Sequence, residues 1–179
     1  MNEVNADRLS ETSGEKDAST QETRGKRPNW NFAGKPVRVL FLCTHNQARS
    51  QMAEALTHDL SQGQVEALSA GNHPAAQVHP LAVRAIARLG ADMSRYVPKS
   101  LDRFRGQAFD RIIILCDQDH EDCPTFDTAG VIYWNFPDPA LVEGTEQERQ
   151  RAFNLLATEL ATRIRLLLTL LEKEKRAST

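Results

Sequence analysis

Apolar residues recur along this chain with two spacings. Val37 to Leu42 is a β-branched, apolar run broken only by Arg38, and Phe109 to Leu115 has the same character; Val65 to Ser69, stopping at Gly71, and Val131 to Trp134 are shorter candidates. Runs of this length bounded by turn residues predict four strands. Between them the spacing becomes helical. Met52, Ala53, Leu56 and Leu60 mark a helix over Arg49 to Leu60, and Leu81, Val83, Ile86 and Leu89 mark a second that opens on Pro80 and stops at Gly90. The last helix carries Phe153, Leu156, Leu160, Ile164, Leu167 and Leu171 on one face; it starts near Thr145, whose Glu148 three residues on predicts a capping box.

Strands of continuous apolar character separated by helices predict a parallel sheet covered on both faces. The expected fold is therefore α/β, a three-layer sandwich around a central four-stranded parallel sheet. Ligands of such sheets bind beyond the carboxyl ends of the strands. Cys43 and Cys116 directly follow Leu42 and Leu115, so the pattern sets both thiols at that edge, where they can meet.

Before the first strand the pattern fades. Residues 1–34 are rich in Glu, Ser, Thr, Asn, Lys and Arg and poor in large apolar side chains, which predicts a disordered tail. The domain is expected over 35–172, with 173–179 as a flexible C-terminus.

Composition narrows the function. A formal charge of −2 leaves no basic footprint for nucleic acid, and no charge block suggests a membrane surface. No apolar run approaches the roughly 20 residues that span a bilayer, and the N-terminus lacks the apolar stretch of a secretory signal. A cytoplasmic protein is expected. Three cysteines without an export signal argue against a structural disulfide framework, which leaves chemistry, metal or burial to explain them.

The chemistry gathers in "CTHNQARS", Cys43 to Ser50, between the first strand and the first helix. Backbone N–H groups of such a loop converge on an anion while the following helix turns its positive end to the same point. Arg49 then offers a bidentate fork for an oxyanion, and the positive field favours the nucleophilic thiolate of Cys43. Ser50 can donate to that sulfur. A plainer reading makes Cys43 a buried strand-end residue and Arg49 and Ser50 a helix start. Asp138, fixed between Pro137 and Pro139, is a candidate general acid, although Asp-Pro is also a common turn element.

"VLFLCTHNQARSQMAEAL" resembles the phosphate loop of the low-molecular-weight protein tyrosine phosphatase superfamily, and in particular its arsenate reductase branch. The resemblance continues through "SAG" at Ser69 to Gly71, "LCDQDHEDCP" at Leu115 to Pro124 and "WNFPDPA" at Trp134 to Ala140, and covers Val37 to Leu171. It implies a phosphatase-like fold and an oxyanion cradle made of Thr44, His45, Asn46, Gln47, Ala48, Arg49 and Ser50. Cys43 is the implied nucleophile and Asp138 the implied acid. His45 and Gln47 stand at loop-tip positions where the family varies, and Asn46, Glu54 and Ser69 match a monovalent cation site of some relatives. No cofactor or metal is required, and a monomer is expected.

Cys116 and Cys123 separate the branches. A phosphatase has no use for partner thiols, whereas arsenate reduction takes two electrons, which thiols can supply. The resemblance implies that Cys43, Cys116 and Cys123 form a relay that thioredoxin regenerates. Seven residues of helix would hold Cys116 and Cys123 about 10 Å apart, beyond disulfide reach, so a helical segment would have to unwind. Asp117, Asp119, Glu121 and Asp122 between them read as exposed surface charges. Zinc is a poor rival for these thiols, since no CxxC pair occurs and His120 alone completes no site. Ala140 stands where the phosphatases carry an aromatic that holds a phenyl ring. Two other readings remain: a phosphatase acting on phosphomonoesters, and a non-enzymatic oxyanion binder.

Overall fold

The computed structural model describes residues 30–32, 36–119, 121–126 and 130–178. The elements in chain order are β1 (Val37–Leu42), α1 (Arg49–Leu60), β2 (Val65–Ala70), α2 (Pro80–Arg88), β3 (Arg111–Ile114), β4 (Val131–Tyr133) and α3 (Glu146–Ala177), with 3-10 turns at Leu101–Phe104 and Pro139–Leu141. All pairings in the sheet are parallel, in the order β2-β1-β3-β4. β1 is a central strand, which explains its apolar run: Val39, Leu40, Phe41 and Leu42 are fully buried between two layers.

The strand pleat sorts the core into two halves. Val37, Val39, Phe41, Ile113 and Leu115 face one side, where Met52 and Leu56 of α1, Leu81 and Ile86 of α2, and Phe153, Leu160, Ile164 and Leu168 of α3 pack on them. The third layer is thin. Leu40, Leu42, Ile112 and Ile114 are covered by Leu101 and Phe104 of the first 3-10 turn, with Phe109 and Phe126 packed against them.

Both caps follow from local sequence. Pro80 sits in the first turn of α2, and His79 before it accepts from the Leu81 amide while its ring stacks on Phe153. The predicted capping box of α3 is present, with Thr145 and Glu148 satisfying each other's amides. The tail boundary needs correction. Trp30 and Phe32 are only 7% exposed and belong to the main core, and the Asn31 amide donates to Glu172 on α3. Large aromatic surface, ignored when the segment is averaged with its polar neighbours, anchors these residues; residues 1–29 and 33–35 lie outside the described set. At the other end α3 runs on to Ala177, past the boundary expected at residue 172.

Candidate active site

β1 delivers Cys43 to the carboxyl edge of the sheet, where it is 2% exposed. The segment from Thr44 to Ala48 then curls back into α1. Three of its carbonyls are tied outward: Thr44 accepts from the His73 amide at 2.9 Å, His45 from Ala75 at 2.9 Å and Gln47 from His79 at 2.8 Å. A trans peptide points its N–H opposite to its carbonyl, so these bonds turn the amides of His45, Asn46 and Ala48 the other way, into the curl. α1 begins there with no side-chain cap and no acidic residue in its first turn. Its positive end is left to whatever anion the loop holds.

Asn46 pins the loop. It adopts φ of 47°, a left-handed conformation that asparagine tolerates better than most residues. Its Oδ1 accepts from the Lys99 amide at 2.7 Å and from Gln51 Nε2 at 2.9 Å, and its Nδ2 donates to Ser50 Oγ at 2.7 Å and to Ser69 Oγ at 2.9 Å. The backbone donor of Lys99 fixes which end of the amide is oxygen. Since Ser50 Oγ receives Asn46, its own proton is free for Cys43 Sγ at 2.9 Å. Ser69 Oγ donates to Glu54, which also pairs with Lys99 Nζ at 2.9 Å. The network from Lys99 to Cys43 runs continuously through the Ser69 and Ser50 hydroxyls and is buried at its Cys43 end, an arrangement that holds the loop rigid. The backbone of Gly71 closes against it, where a Cβ would lie 2.6 Å from the Thr44 carbonyl oxygen.

Arg49 is 1% exposed, and both of its terminal nitrogens are engaged. Nη1 donates to the Phe136 carbonyl at 2.9 Å and to Glu121 Oε1; Nη2 donates to Glu121 Oε2 at 2.6 Å and to Asp138 Oδ2 at 3.1 Å. Burial alone would lower its pKa, but the Glu121 hydrogen bonds and the charges of Cys43, Asp138 and Glu121 outweigh it and hold the guanidinium above its ordinary value. Asp138 is aimed by its own turn, Oδ1 accepting from the Ala140 amide at 2.9 Å.

Cys116 and Cys123 are joined in a disulfide with Cα atoms 5.9 Å apart, while Cys43 is free. Their segment is a loop without helix in its described residues, which removes the separation that a helix would impose. Cys43 belongs to the core on the helical face and Cys116 to the core on the other, because each follows the pleat of its strand. In this oxidised state the Cys43 thiol and the Cys116 sulfur share the sheet edge but belong to opposite faces.

The structure thus gathers Cys43, Thr44, Asn46, Arg49, Ser50 and Asp138, leaves His45 exposed and Gln47 half-buried, and keeps Cys116 and Cys123 together beside them. Glu121 departs from the sequence reading: its side chain is 12% exposed and lies on Arg49 rather than in solvent. Lys99 and Gln51 gave little signal, although a glutamine among the buried positions of α1 is the kind of polar residue that asks for a partner. His120 lies outside the described residues. Among those described, no cluster of three His, Cys, Asp or Glu side chains could hold a metal.

The family model of low molecular weight phosphotyrosine protein phosphatases matches residues 38–177. This chain belongs to that family. Within it, the chain is 34% identical over 128 residues to an arsenate reductase of Halalkalibacterium halodurans, covering 71% of this chain and 91% of the relative. Among solved structures it matches an arsenate reductase of Archaeoglobus fulgidus at 30% identity and TM-score 0.60, covering 73% of this chain and 98% of that one. A thioredoxin-dependent arsenate reductase of Corynebacterium glutamicum matches at 29% identity and TM-score 0.57, over 81% of this chain and 64% of its own. The two solved structures share the α/β fold of this chain.

Proposed function

We propose that this protein reduces arsenate to arsenite with Cys43 as nucleophile, Cys116 and Cys123 as the electron relay and thioredoxin as the reductant. The observation that carries the reading is a free thiol in an oxyanion loop beside a disulfide at the end of the adjacent strand. The arsenate reductases among its relatives support the substrate, and the thioredoxin-dependent one supports the partner.

The reaction balances through three sulfurs. Cys43 thiolate, steadied by the Ser50 hydroxyl, attacks arsenic held by the loop amides and the Arg49 fork. Asp138 gives a proton to the departing oxygen, which leaves as water, and an S–As(V) bond is formed. Cys116 thiolate then attacks Cys43 Sγ; the S–As electron pair stays on arsenic, which falls to As(III) and leaves as arsenite. Cys123 thiolate next attacks Cys116, freeing Cys43 and forming the Cys116–Cys123 disulfide. A thioredoxin dithiol reduces that bond and is itself oxidised.

Because Cys43 and Cys116 lie on opposite faces of the sheet, the second step needs the segment after β3 to rearrange. A loop with few apolar anchors is suited to that. The Lys99 ammonium supplies positive charge beside Glu54 and Ser69, where some relatives would hold a monovalent cation; exchanging potassium for sodium should then leave the rate unchanged. The test of the whole reading is arsenite release with thioredoxin, thioredoxin reductase and NADPH. Wild type turns over repeatedly, while Cys123→Ser stops after one equivalent of arsenite; sustained turnover by Cys123→Ser sinks the relay.

A further inference from the structure

Arg49, the residue that should grip an oxyanion, is already gripping a carboxylate. Glu121 sets both oxygens into its fork, Oε2 at 2.6 Å from Nη2 and Oε1 on Nη1. Two more donors complete the contact: Thr44 Oγ1 reaches Oε2 at 2.9 Å, and the Asp117 amide reaches Oε1 at 3.2 Å. Arginine binds two oxygens of a carboxylate and two oxygens of a phosphate-like ion with the same pair of N–H groups. Glu121 therefore uses the donors that a tetrahedral oxyanion would use.

The carboxylate is delivered by the disulfide loop itself. Glu121 stands two residues before Cys123, with the Cys123 amide donating to the Glu121 carbonyl at 2.9 Å and the Glu121 amide donating to the Asp117 carbonyl at 2.9 Å. The disulfide closes this turn into a ring. A second clasp holds the ring on the loop's rim: Asp122 Oδ2 lies 2.9 Å from His73 Nε2 and 3.3 Å from Asn72 Nδ2. Ring closure raises the effective concentration of a tethered group, here the Glu121 side chain at Arg49.

We propose that Glu121 is an internal ligand of the oxyanion site, seated when Cys116 and Cys123 are oxidised and released when they are reduced, so that the redox state of the pair controls access of tetrahedral oxyanions to Arg49. It rests on the reading of the Cys43 loop as the oxyanion site. The spent enzyme then excludes both new arsenate and the chemically similar phosphate until its thiols are restored. Burial works against the ionised Glu121, yet the Arg49 hydrogen bonds and charge, with Thr44 and Asp117, hold its pKa below the ordinary value, so the plug is charged at neutral pH.

The coupling is reciprocal. An oxyanion that favours the reduced state by some factor must shift the dithiol–disulfide equilibrium by the same factor. Each tenfold preference raises the reduction potential of the pair by about 30 mV at saturating ligand.

Inorganic phosphate, which accepts no electrons here, is the probe. Its affinity is measured by calorimetry on the full chain, reduced by thioredoxin or oxidised by diamide, with the Cys116–Cys123 bond verified by mass spectrometry. Reduced wild type should bind phosphate at least tenfold more tightly than oxidised wild type. In Glu121→Gln and Glu121→Ala the two states should agree within about threefold, with the oxidised form gaining affinity. Equal affinity of both wild-type states, or oxidised variants that still bind weakly, overturns the plug while leaving the oxyanion site intact. No phosphate binding in either state, for wild type and variants alike, overturns the oxyanion site and the plug together.

Discussion

Replacing Asn46 by alanine tests how the Cys43 loop keeps its shape. The substitution removes one acceptor and two donated bonds from a site that is fully buried. Gln51 Nε2 keeps a second acceptor in the Val97 carbonyl at 2.7 Å, and Ser69 Oγ keeps Glu54. The Lys99 amide has no such reserve and becomes an orphaned donor, which costs about 1–3 kcal/mol. Holding alanine at the left-handed φ of 47° adds about 1 kcal/mol. The expected loss is therefore about 2–4 kcal/mol, read from the urea midpoint at constant slope. Asn46→Gly removes the conformational part and keeps the orphan, so it should fall between. Single-turnover arsenate reduction should drop more than tenfold in both, because Ser50 Oγ loses the donor that leaves its proton for Cys43. An alanine variant within about 0.5 kcal/mol of wild type, with an unchanged single-turnover rate, would refute the pinning argument.

Two further outcomes follow from positions near that loop. Gly71→Ala should cost about 1–3 kcal/mol and slow single-turnover reduction more than tenfold, since its Cβ would meet only backbone atoms at 2.6, 2.8 and 2.9 Å; full activity would show that the loop can give way. Tyr96 is pushed up to about 12 by burial first and then by the charges of Glu54 and Asp92. The folded chain thus holds the phenol proton beyond the point where the unfolded chain releases it, near the ordinary 10.0, so Tyr96 makes stability fall as pH rises from 10 toward 12. Urea midpoints of wild type and Tyr96→Phe across that range check it, and parallel curves would remove the effect.

The sheet and its helices were legible because their apolar periodicities are long and unambiguous. β1 and α1 could be bounded to the residue, since a buried central strand runs straight into a loop and a helix. The Cys43 loop was legible for the same reason: a thiol and a guanidinium flanking a strand-to-helix turn is a local pattern. What stayed hidden is long-range. Glu121 reads as one acid among several, and only folding brings it across 72 positions to Arg49. Lys99 and Gln51 act through Asn46 by contacts that no spacing rule encodes. Trp30 and Phe32 were lost by averaging, their two aromatic rings outweighed by the polar residues before them.

The Cys116–Cys123 segment is the instructive case. Spacing alone argued against a bond within a helix, and the absence of helix in its described residues lifts that objection. Its acidic residues then divide their work. Glu121 holds the segment down on the Cys43 loop and Asp122 on Asn72 and His73 beside it, while the exposed Asp119 faces solvent.

The central claim is that arsenic receives its two electrons from these cysteines in a fixed order. Disulfide connectivity, mapped by mass spectrometry after one equivalent of arsenate is added to reduced protein without thioredoxin, reads that order directly. The account predicts a Cys116–Cys123 bond in wild type and a Cys43–Cys116 bond in Cys123→Ser, each matched by one equivalent of arsenite. Arsenate loss with no new disulfide, or a protein whose thiols all remain free while arsenate is untouched, would contradict it.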